Sequence, residues 1–154
     1  MPEIKQKYNE LQKKHKLPDY NLIDNELEIS TIEQPDFLLR NIMRRILEKL
    51  DFYTNLLQDT LQPDASNMAS MNENNFFDDD EKKHMYNLYK KLISMNRESA
   101  LISLNPDEKN EAEFINHFFE HWEPIRKELY NYVKKMKESW KADIEEEEDT
   151  RYMG

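Results

Sequence analysis

Apolar side chains recur at helical spacing along most of this chain, and strand-like alternation is nearly absent. Ile4, Tyr8 and Leu11, with His15 next on the same face, predict a short helix over 3–16. Its stripe is thin, too weak to fold without docking on something. Pro18 ends it by biasing Leu17 away from helical geometry. Residues 19–33 leave two readings open. Asp19 caps a short helix through Leu22, Ile23 and Leu27, or Leu27-Glu28-Ile29 alternates as an extended piece. From Pro35 to Leu61 the pattern is strong. Leu39, Met43, Ile46, Leu50, Tyr53, Leu57 and Leu61 follow one another at intervals of three or four, and Ile42, Leu47 and Leu56 widen the stripe. Pro35 suits a first turn, where a missing N–H costs nothing.

Residues 62–75 show no periodicity and are rich in Asn, Ser and Asp, which predicts a mobile connection between two halves. Asp78 with Glu81 resembles a capping box, and Met85, Leu88, Tyr89 and Leu92 then predict a helix over 79–103. Asn105-Pro106-Asp107-Glu108 starts another, over 106–144, whose apolar stripe is Ile115, Phe118, Trp122, Ile125, Leu129, Tyr132, Met136 and Trp140. Pro124 falls inside it, yet the phase carries across, so a kink is expected rather than a break. A straight helix of that length would reach about 58 Å, against a radius of gyration of roughly 15 Å for a compact chain of this size. The expected architecture is therefore an all-α bundle of about four main helices, forming one domain over 1–141. The last helix is kinked at Pro124, and an acidic, disordered tail covers 142–154.

Composition narrows the class. Mean hydropathy is low, at −1.02, but aromatics make up 11%, more than disordered chains carry. Lys and Arg number 22 against 32 Asp and Glu, a formal charge of −10, of which the acidic 142–154 segment holds half. There is no cysteine, which removes disulfide frameworks, Cys-zinc sites and thiol nucleophiles. The single glycine excludes P-loops and dinucleotide turns. No apolar run is long enough to span a bilayer, and the opening MPEIKQKYNE lacks the apolar core of a secretory signal. The expectation is an acidic, cytoplasmic protein with no membrane segment.

Candidate chemistry is sparse. His117 and His121 stand one helical turn apart with Glu113 and Glu120 nearby, a spacing that lets two imidazoles share one ion. They lie about 110° and 70° from the apolar face, at its boundary. Glu81-x-x-His84 is half of a carboxylate-bridged di-metal motif, without the second copy that such a site needs. Two basic segments, 5–16 and 126–141, each carry a net +4, with Arg126, Lys127, Lys134 and Lys141 as possible phosphate contacts. No serine sits in a nucleophile elbow. Eight methionines and the aromatics Phe118, Trp122, Tyr132 and Trp140 suit an adaptable helical interface. The leading expectation is a non-catalytic interaction or assembly module without a cofactor, binding a protein partner or a second copy. The alternatives are a nucleic-acid-associated factor using the basic helices and a metal-dependent helical enzyme.

Overall fold

The computed structural model describes residues 2–153; Met1 and Gly154, the ends of the expected domain and tail, lie outside them. The described residues are all-helical, without a strand. The helices are α1 (Pro2–His15), α2 (Tyr20–Leu27), α3 (Leu38–Leu61), α4 (Met68–Phe76), α5 (Asp79–Leu104) and α6 (Glu108–Met153), with a 3-10 turn at Ile29–Thr31. Two compact units are built from interleaved segments: Met1–Phe52 with Leu92–Glu123, and Tyr53–Lys91 with Pro124–Gly154. The units change over inside α3, at the Lys91–Leu92 step of α5, and at Pro124 of α6.

In the first unit the helical reading of residues 19–33 holds. Asp19 Oδ2 accepts the Asn21 N–H at 3.1 Å and caps α2. Glu28 then turns left-handed at φ 53° and its N–H closes α2 on the Asp24 carbonyl at 2.7 Å. The carbonyls exposed by that turn are taken up by Arg45, whose Nη1 donates to Leu27 O (3.2 Å), Glu28 O (3.0 Å) and Thr31 Oγ1 (2.8 Å). α3 begins at Leu38, three residues later than expected, because Phe37 stands at φ 51° and Pro35 precedes the helix. A residue in the left-handed region cannot continue a right-handed helix.

The core of this unit is built on the predicted stripes: Ile4 and Tyr8 of α1, Ile23 of α2, Ile42, Ile46 and Leu50 of α3, and Ile115 and Phe118 of α6 are fully buried, joined by Phe114, which the predicted stripe did not include. The thin α1 stripe is thus completed by its neighbours. Tyr8 donates its hydroxyl to the Pro18 carbonyl. Burial, and secondarily the charge of Asp19, hold its ionisation well above the usual tyrosine value of 10. A phenol whose folded pKa exceeds its unfolded one binds its proton more tightly when folded. Its contribution is complete below about pH 10 and is lost as pH rises beyond it. Stability should therefore fall through the alkaline limb. Tyr8→Phe should flatten that limb in a base titration followed by urea melts, while costing about 1 kcal/mol at neutral pH. An unchanged alkaline slope would refute the role given to Tyr8.

In the second unit the segment expected to be mobile contains α4. Asn67 Oδ1 accepts the Ser70 N–H at 3.1 Å, and Ser70 is buried. Asn74 Nδ2 donates to the Thr60 carbonyl at 2.8 Å near the end of α3, and Lys82 donates to Asn74 Oδ1. The segment is fastened by polar side chains, so hydrophobic periodicity does not reveal it. The capping box is present: Asp78 Oδ1 accepts the Glu81 N–H at 2.7 Å, and Glu81 Oε1 accepts the Asp78 N–H at 3.2 Å. Phe77 is buried, edge-on to Tyr132 at 6.1 Å. α6 is one helix through Pro124, and it continues through the acidic segment expected to be disordered. Residues 141–150 are exposed throughout, so the helix there rests on the propensity of Ala142 and Glu145–Glu148 and not on packing.

Candidate functional site

α6 presents two stripes in the second unit. The inner one is the predicted stripe: Ile125, Leu129 and Met136 are buried and Tyr132 is half-buried. The outer stripe is Tyr130, Val133, Lys137, Trp140 and Ile144, whose intervals of three, four, three and four are those of a heptad seam. Tyr130 is 67%, Val133 39% and Ile144 55% exposed. Trp140, which also ends the predicted stripe, is half-buried, with its indole N–H donated to Glu73 Oε1 at 3.1 Å. The sequence reading followed the inner stripe and passed over Tyr130, Val133 and Ile144. Their mutual spacing was the available signal.

Between α5 and α6 of the same unit runs a groove of about 690 Å³. Its walls mix charges: His84 and Lys91 of α5 face Glu128, Tyr132 and Lys134 of α6. Lys135 lines it too and forms an ion pair with Glu81, and that hydrogen bond holds the Lys135 ammonium above the usual lysine value. Burial raises the Tyr132 phenol above 10, with Glu128 and Glu81 adding to it. The Glu81-x-x-His84 pair therefore lines a groove in which Glu81 is committed to a lysine. The mixture of signs does not converge on one ligand charge, and it offers no paired nucleophile and base.

In the first unit a cavity of about 470 Å³ lies over the start of α3. Phe37, left-handed and largely exposed, lays its ring against the Arg40 guanidinium at 4.7 Å. Arg40 Nε pairs with the buried Glu111 carboxylate at 3.2 Å. At the start of α6, Glu108 accepts from Lys14 at 2.8 Å and lies 3.0 Å from His15, contacts that hold its carboxyl below the usual value.

The remaining predicted residues divide clearly. Phe118 and Trp122 are buried and stacked at 4.9 Å, with the Trp122 indole N–H donated to Glu26 and Lys49 pairing with the same carboxylate oxygen at 2.9 Å. Both aromatics are occupied within the first unit. Arg126, Lys127, Lys134 and Lys141 are exposed on α6. His117 and His121 do come together, with ring centroids 4.6 Å apart, and the carboxylate bonded to the His117 ring is Glu98 of α5, 2.8 Å away, a partner the sequence did not indicate. Among the described residues no three His, Asp or Glu side chains gather as a metal-holding group. No described helix is long and apolar enough to cross a membrane. Compared with protein-family models, characterised proteins and solved structures, the chain matches none.

Proposed function

We propose that the chain is a non-catalytic helical interaction module, a cytoplasmic bundle that pairs through the outer stripe of α6 with a partner helix, first of all that of a second copy. The observation that carries the reading is the exposed heptad spacing of Tyr130, Val133 and Ile144 on one helix. Apolar side chains held in register on a solvated helix favour a second helix that removes them from water. An antiparallel copy suits the register. It sets Val133 against Ile144 and Lys137 against Trp140, an apolar contact and a cation over an indole face. The reading includes a bend of α6 at Pro124, whose missing N–H leaves the Glu120 carbonyl without its helical donor.

The test is the mass of the full chain in solution by light scattering over a range of concentrations. The wild type should move to dimer as concentration rises. Val133→Glu with Ile144→Glu should stay monomeric with an unchanged circular dichroism spectrum. A wild type that stays monomeric into the millimolar range, or a variant that still dimerises, rejects the outer stripe as the interface. A second reading rests on Lys127, Lys134 and Lys141, exposed at seven-residue intervals beside that stripe. It predicts nucleic-acid binding that strengthens on removal of 142–154 and weakens steeply with salt.

A further inference from the structure

The geometry points to a divalent transition-metal site on the first unit, formed by the Nε2 atoms of His117 and His121 and oriented by Glu98. His121 Nδ1 lies 3.0 Å from the backbone carbonyl of His117. A carbonyl only accepts, so that nitrogen carries the proton and Nε2 keeps the lone pair in the neutral ring. His117 Nδ1 lies 2.8 Å from Glu98 Oε2, an acceptor of the same kind, and the same consequence follows. Both rings thus have the outer partner that metal-bound histidines carry, one a carboxylate and one a backbone carbonyl. No other hydrogen bond or ion pair of either ring is found among the described residues. The rings belong to one turn of a regular helix, with centroids 4.6 Å apart and planes inclined at 75°. Two imidazoles that share one ion through Nε2, at about 2.0–2.1 Å each, need their rings this near to one another.

The ligand type selects the ion. Imidazole pairs favour zinc, nickel and copper, whereas magnesium and calcium take oxygen ligands. His121 is exposed and His117 half-buried, so water completes the coordination and the site is an open one. Glu98 is a positioning residue: it holds the His117 tautomer and the ring orientation without touching the ion.

The test is calorimetric titration of the untagged full chain with zinc chloride and, separately, nickel chloride. One ion per chain is expected, with binding lost in His117→Gln and in His121→Gln and retained in His84→Gln. Glu98→Gln should weaken binding about tenfold. Long-range ¹⁵N correlation spectra should show both rings of the metal-free protein protonated at Nδ1. Zinc should then shift Nε2 of His117 and His121 together. Circular dichroism establishes that each variant keeps its helices. Binding that survives His121→Gln, binding that vanishes in His84→Gln, a wild type that takes up neither ion, or a His117 ring protonated at Nε2 overturns the assignment.

Discussion

Phe118→Ala is expected to destabilise the protein by about 3–5 kcal/mol. Phe118 is fully buried and meets Trp122 in a stacked pair at 4.9 Å and Phe119 edge-on at 5.1 Å. Truncation removes the transfer free energy of the ring and leaves a void that helices on several sides cannot close without moving. The loss extends to Trp122, whose N–H is held by Glu26, the carboxylate that also pairs with Lys49. Phe118→Leu retains most of the volume and should cost under half as much. Urea melts followed by circular dichroism measure both. A loss below about 1 kcal/mol for the alanine variant would show that the site collapses freely, and that the first unit is not organised around this ring.

Arg40→Ala is expected to cost about 2–3 kcal/mol, below the usual range for breaking a buried ion pair. Glu111 is 6% exposed, and the Arg40 guanidinium at 3.2 Å is its ion-pair partner. Removing the arginine strands a carboxylate in the interior, a cost that exceeds the net value of the pair itself. The discount has two sources. The guanidinium is itself partly exposed, and Lys7 lines the same cavity, where it can swing toward the stranded charge. The substitution also removes the cation beneath the Phe37 ring. The decisive comparison is Arg40→Ala with Glu111→Ala together, which should be less destabilised than Arg40→Ala alone. Strict additivity of the two single substitutions in urea melts would mean the pair has no coupling and would remove this account.

Much of the fold was legible in the sequence because the relevant physics is local and periodic. The stripes through Leu39, Met43 and Ile46, and through Ile115, Phe118 and Trp122, follow from helix geometry, and the structure buries all six. The Asp78–Glu81 box and the Asp19 cap were legible for the same reason: each uses a side chain within three residues of the N–H it satisfies. α4 was not legible. Its fastening runs through Asn67, Asn72 and Asn74 to Ser70, Ser139 and the Thr60 carbonyl, and two of these contacts join residues far apart in the chain. The start of α3 shifted because Phe37 adopts a left-handed backbone that the residue type does not announce.

The sites follow the same division. By itself the sequence determined an all-helical chain, which side chains could form stripes, and that His117 and His121 share a helical turn, since spacing along a helix is set by the backbone alone. Tertiary structure decided how those possibilities were used. It enclosed Phe118 and Trp122 and left Tyr130, Val133 and Ile144 exposed, although all five have helical spacing. It brought Glu98, nineteen residues before His117, to the histidine ring. A stripe becomes core only when another element arrives to cover it. A carboxylate reaches a distant imidazole only when two helices pack side by side, and neither condition is local to the chain.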